Sequence, residues 1–125
     1  MTVLIDSWAW IEYWREGPRA REAAEYVEGD EDALASAVNL AEVYHWFLRQ
    51  YDERVADERR RTIERRCLVV PLDADLAVEA ARLRRGERLS LADSIILATA
   101  RKFGASMVTG DPDLRGKRGV VFIGA

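Results

Sequence analysis

Four carboxylates stand where short apolar runs give way to helices or turns. Asp6 closes Val3-Leu4-Ile5, and Glu42 and Asp93 end two blocks of one pattern, Asn39-Leu40-Ala41-Glu42 and Ser90-Leu91-Ala92-Asp93. Asp111 lies two residues past the apolar stretch ending at Thr109 and is followed by Pro112 and a further acid, Asp113. Carboxylates brought together raise one another's pKa unless something positive sits among them. Helix N-termini help a little. A hard divalent cation helps far more, and an all-oxygen set suits Mg²⁺ or Mn²⁺. Zinc does not fit, because the only histidine, His45, and the only cysteine, Cys67, show no ligand spacing. One histidine and no serine motif also leave little for a nucleophilic triad. The chemistry that remains is metal-assisted, typically on phosphate esters.

Each acid also has an ordinary structural use. Asp6 or Ser7 can cap a helix, and the two Leu-Ala-acid blocks read as a pair of capping boxes begun by Asn39 and Ser90. Asp111-Pro112-Asp113 can be a plain turn. What outweighs these uses is where the flanking elements place the acids.

Short apolar strands are expected at Val3–Ile5, Ala33–Ala37, Cys67–Val70, Ser106–Thr109 and Val120–Ile123. Between them run helical stretches: from Ser7 to the Gly17-Pro18 break, about Arg19 to Val27, from Asn39, about Asp52 to Arg66, Asp73 to about Arg85, and a buried one from Leu91. The clearest is the one begun by Asn39, where Leu40, Val43, Tyr44, Phe47, Leu48 and Tyr51 keep the helical spacing throughout. His45 falls away from that stripe and reads as a surface residue. Gly86 separates the last two helices, and Gly104 reads as a left-handed stop after Arg101-Lys102. The alternation describes a three-layer α/β/α fold around a central, mainly parallel five-stranded sheet. In right-handed strand–helix–strand units helix N-termini lie at the C-terminal edge of the sheet. Asp6, Glu42, Asp93 and Asp111 are therefore expected to face one crevice there.

The chain has 125 residues, the size of one domain, here residues 1–125. A single cysteine forbids an internal disulfide and fits a reducing, cytoplasmic setting; Cys67, beside Leu68-Val69-Val70, reads as core. No apolar run approaches the roughly 18 residues of a membrane span. The net charge of −3 argues against general nucleic-acid affinity, yet all but two of the 19 basic residues are arginines. The groups Arg59-Arg60-Arg61 and Arg82-Arg84-Arg85 could meet phosphates. With Glu58 and Glu64 interleaved, the first reads more simply as a salt-bridged helix surface.

In order and spacing, Val3-Leu4-Ile5-Asp6-Ser7, Asn39-Leu40-Ala41-Glu42, Leu91 to Ala100 and Val108-Thr109-Gly110-Asp111-Pro112-Asp113-Leu114 resemble the motifs of PIN-domain ribonucleases. The short length makes VapC-type toxins of toxin–antitoxin pairs the nearest likeness. The resemblance implies Mg²⁺- or Mn²⁺-dependent cleavage of single-stranded or looped RNA, with attack by metal-activated water leaving a 5′-phosphate and a 3′-hydroxyl. It implies metal-coordinating, catalytic roles for Asp6, Glu42, Asp93 and Asp111, an extra acid in Asp113, and supporting hydrogen bonds from Ser7 and Thr109. It also implies a homodimer and silencing by a VapB-like antitoxin, for which some of Trp8, Trp10, Trp14 and Trp46 could supply interface. Two departures, Trp8 where a small polar residue is common and Leu114 in place of a frequent phenylalanine, bear on packing or substrate preference.

Two rival readings remain at this stage. A phosphoacceptor receiver domain shares the fold class, but it wants paired acids after the first strand and a lysine after the last, and no lysine follows Ile123. A PIN-like module without catalysis, or an RNA-processing nuclease outside a toxin–antitoxin pair, would keep the same elements.

Overall fold

Val3, Leu4 and Ile5 are completely buried, and the strand they form, β1 (Thr2–Ile5), is the middle of five. The computed structural model describes all 125 residues, Met1–Ala125. In chain order the elements are β1, α1 (Ser7–Trp14), α2 (Ala20–Val27), β2 (Asp32–Ser36), α3 (Ala37–Gln50), α4 (Glu53–Arg66), β3 (Leu68–Val70), α5 (Ala74–Glu87), α6 (Leu91–Lys102), β4 (Ser106–Thr109) and β5 (Val120–Phe122). The sheet order is β3-β2-β1-β4-β5, and every neighbouring pair is parallel.

Strand alternation sorts the core into two layers. Val3, Ile5, Ala33, Ala35 and Val108 point to one face and pack with Trp10, Val43, Phe47, Ala56 and Ile63 from α1, α3 and α4. Leu4, Leu34 and Met107 point to the other and pack with Ile96, Leu97 and Ala100 of α6. Both faces covered by helices is the condition under which an all-parallel sheet is stable. Cys67 is buried, and burial pushes its thiol up to about 12, so it is core and not a nucleophile. No helix is long and apolar enough to cross a membrane.

Two boundaries and one buried face differ from expectation. The cap of α3 is Ser36, not Asn39: Val38 N–H donates to Ser36 Oγ at 3.0 Å, and Ser36 N–H donates to Asn39 Oδ1 at 3.0 Å. The helix thus begins earlier, and Glu42 sits in its second turn. At the other end, α5 runs through Gly86 to Glu87, and Arg88 takes the left-handed conformation (φ 59°) instead of a glycine. The apolar stripe of α3 is buried at Val43 and Phe47, while Leu48 and Tyr51 are 41% and 62% exposed. None of the four tryptophans is fully exposed; Trp10 is buried and stacks on Trp14 at 5.3 Å. Arg60 pairs with Glu64, as expected of a salt-bridged helix surface.

Candidate active site

The strand order reverses between β1 and β4, and at such a switch point the strands leave a crevice beyond their C-terminal ends. Both strands deliver an acid there. Asp6 follows Ile5, and its N–H still donates to Val108 O at 3.0 Å, so the β1–β4 ladder holds to its last rung. Asp111 lies two residues past Thr109 and accepts the Asp113 N–H on Oδ1 at 3.0 Å, starting a 3-10 turn over Pro112–Leu114. Asp93 comes from the first turn of α6, where its N–H donates to the Ser90 cap at 3.1 Å. Glu42 comes from α3.

Asp6, Ser7, Glu42, Asp93 and Asp111 line one cavity of about 320 Å³. Asp113 lies beside it. One carboxylate oxygen from each of Asp93, Asp111 and Asp113 falls within 4.8 Å of the other two, close enough to share an ion. Asp6 and Glu42 stand outside that trio and are held by neutral donors. Thr109 Oγ1 donates to Asp6 Oδ2 at 2.7 Å, and Asn39 Nδ2 donates to Asp6 Oδ1 at 3.2 Å. Asn39 Nδ2 also donates to Ser7 Oγ at 2.8 Å, and Ser7 Oγ donates to Glu42 Oε1 at 2.6 Å. Thr109 Oγ1 in turn accepts the Asp111 N–H at 3.1 Å. One hydrogen-bonded network therefore joins the ends of β1 and β4 to α1 and α3.

Burial pushes the Asp6 carboxyl from 3.8 up to about 7; the Thr109 hydroxyl pulls it back, and the charges of Glu42 and Asp93 add to the rise. Burial also raises Asp93, with the charge of Asp111 the next cause. None of these five acids is in a salt bridge. An oxygen-only set, crowded and without a cationic partner, fits a hard divalent ion. A larger groove of about 790 Å³ between α5 and α6 lacks this character, because its acids face Arg82, Arg101, Lys102 and Arg118, and Glu87 pairs with Arg101 at 2.5 Å.

A profile of the PIN domain matches residues 3–119. The chain belongs to the PIN domain family. Its fold is that of solved PIN toxins. A toxin–antitoxin complex from Klebsiella pneumoniae superposes with a TM-score of 0.78 at 25% identity, covering 95% of each chain. VapC20 of Mycobacterium tuberculosis, a Sarcin-Ricin loop cleaving toxin, gives 0.72 at 22% identity over 89% of this chain and 91% of its own. FitAcB of Neisseria gonorrhoeae gives 0.68 at 26% identity over 89% and 88%. No curated protein sequence gives a significant match.

In this PIN domain Asn39, which in the sequence reads only as a cap, lies within the hydrogen-bonded network of the candidate site. It is fully buried, and the Ser36 N–H fixes its amide oxygen, so its NH₂ is left to face Asp6 and Ser7. The signal was present as Ser36-x-x-Asn39, a capping box with asparagine in place of the usual glutamate or glutamine. His45 is exposed, as expected, yet it lines the cavity, together with Trp8, Trp46 and Arg49.

Proposed function

We propose that this PIN domain is a metal-dependent endoribonuclease, the toxin of a toxin–antitoxin pair. The observation that carries the reading is the meeting of Asp6, Glu42, Asp93 and Asp111 at one cavity, with Asp93, Asp111 and Asp113 spaced to share an ion. Mg²⁺ or Mn²⁺ would be held by these carboxylates. The chemistry such an ion supplies when bound is activation of water for attack on phosphorus and neutralisation of the charge building on the phosphate. The chain's own residues aim the ligands. Thr109 and Asn39 hold the two oxygens of Asp6 in place, and Ser7 orients Glu42. These donors are neutral, so they fix direction without adding a charge that competes with the cation. Hydrolysis leaves a 5′-phosphate and a 3′-hydroxyl.

The toxin assignment draws on the relatives, among them the Klebsiella pneumoniae toxin–antitoxin complex at 25% identity. On this reading residues 1–125 are one such domain, cytoplasmic, paired as a homodimer and silenced by a VapB-like antitoxin. The test is cleavage of single-stranded RNA with Mn²⁺ by the purified protein and by Asp93→Asn and Asp6→Asn. Cleavage should fall to background in both variants and on chelation of the metal, while far-UV circular dichroism is unchanged. Wild-type rates in both variants would remove these acids from the chemistry.

A further inference from the structure

The cavity has a second wall, of which the proposed hydrolysis uses only Glu42. Glu42, His45 and Arg49 follow the i, i+3, i+7 spacing of one helix face on α3, and all three line the cavity. His45 and Arg49 are the only basic side chains in a lining that includes four carboxylates. Arg49 is exposed and has no carboxylate, hydrogen-bond or aromatic partner. Arg60 pairs with Glu64, Arg66 with Glu31 and Arg101 with Glu87, and Arg59 lies over the Trp14 ring, while unpaired arginines such as Arg61, Arg84 and Arg85 lie away from this cavity. A polyanion entering a pocket of carboxylates is repelled, and an unpaired guanidinium at the same pocket offsets that repulsion and matches a phosphate in a bidentate fork.

Trp8 faces the same space from α1 and is half-buried. A Cβ on Gly110 would lie 2.5 Å from both Cζ2 and Cζ3 of Trp8 and closer still to Cη2 between them. Such near-equal approach to three consecutive ring carbons puts that position over the face of the indole, not at its edge. One face of Trp8 is thus seated on the Gly110 backbone, beside Asp111, and only the other face and the edges are left for the cavity. A flat indole, rigidly backed, is the kind of surface on which unpaired bases stack.

We propose that Trp8 and Arg49 form the nucleotide-positioning wall of this site: an unpaired base stacks on the Trp8 indole while Arg49 holds a flanking phosphate. The inference rests on the ribonuclease reading and deepens it by naming the side chains that select the substrate. Trp8 also packs on the core, so the test must separate stacking from packing.

Binding of a short fluorescein-labelled single-stranded RNA is measured by anisotropy in the cleavage-silenced Asp93→Asn background over a range of salt. Trp8→Leu should weaken binding about 5- to 150-fold at every salt concentration. That loss should disappear with a probe of the same length made abasic, a difference that a packing defect would not produce. Trp8→Phe keeps an aromatic face, should lie between the two, and serves if the leucine variant does not fold. Arg49→Gln should lower the slope of log K against log salt by about 0.7, the release expected from one single-strand phosphate contact. Trp8 variants equally weakened for normal and abasic probes, or an unchanged slope in Arg49→Gln, overturn the inference, and RNA cleavage by the unmutated protein then leaves the ribonuclease reading standing. Neither binding nor cleavage by the unmutated protein overturns both.

Discussion

Thr109 donates its hydroxyl hydrogen to Asp6 at 2.7 Å across a sequence separation of 103 residues. The same oxygen accepts the Asp111 N–H, so a single hydroxyl sets the deepest acid and the turn that carries another. Because this bond lowers the Asp6 pKa, its loss moves the carboxyl above about 7. Thr109→Val, close in shape, should therefore cost about 1.5–3 kcal/mol in urea unfolding at alkaline pH, the range for a hydrogen bond to a charged group. RNA cleavage should fall with it, while Thr109→Ser restores both. A valine variant as active and as stable as wild type would mean that Asp6 does not depend on this hydroxyl.

Gly110 and Trp8 are a matched pair. Nothing about the Gly110 backbone requires glycine through a positive φ; the requirement comes from the indole lying where a Cβ would go. Gly110→Ala should destabilise the fold by about 1–3 kcal/mol through overpacking. Combined with Trp8→Leu, which vacates the space, the alanine should cost much less than it does alone. The measurement is a double-mutant cycle by thermal or urea unfolding, with coupling on the order of 0.5–3 kcal/mol expected for residues in contact. Strict additivity would place the strain elsewhere.

Much of this arrangement was legible in the chain. Val3-Leu4-Ile5 and the stretch from Leu91 to Ala100 are apolar on nearly every side, which only a central strand and a buried helix allow; Asp6 follows the first directly and Asp93 lies in the first turn of the second. The parts that were not legible share a cause. Asn39, His45 and Arg49 look like a cap and a solvated helix face when α3 is read alone, and their place at the cavity emerges only once α1 and the end of β4 pack beside that face. Asn39 reads as the cap because a strand of small residues gives little contrast at its boundary, whereas β2 runs to Ser36, where the cap lies. The exposure of Leu48 and Tyr51 is likewise set by which helices cover α3, a tertiary fact that periodicity does not encode.

The acids that make the site should also make the metal-free protein prefer low pH. The Asp6 carboxyl has a pKa of about 7 in the fold against 3.8 as the ordinary value. Between those values the folded chain holds a proton that the unfolded chain has released. Its contribution is therefore fully present below about pH 4 and is lost as pH rises through about 7, the reverse of a salt-bridged aspartate. At about 1.36 kcal/mol per pKa unit the loss is on the order of a few kcal/mol. Asp93, also raised, acts in the same direction. Asp6→Asn removes the charge and should flatten the curve, so that wild type loses stability relative to the variant on going from about pH 5 to about pH 8 in chelator. Mn²⁺ at the higher pH should restore the wild type far more than the variant, because the ion replaces the proton as the compensating charge. Urea unfolding of both proteins at the two pH values, with and without the ion, checks each step, and parallel curves in chelator would mean that Asp6 ionises as easily in the fold as out of it.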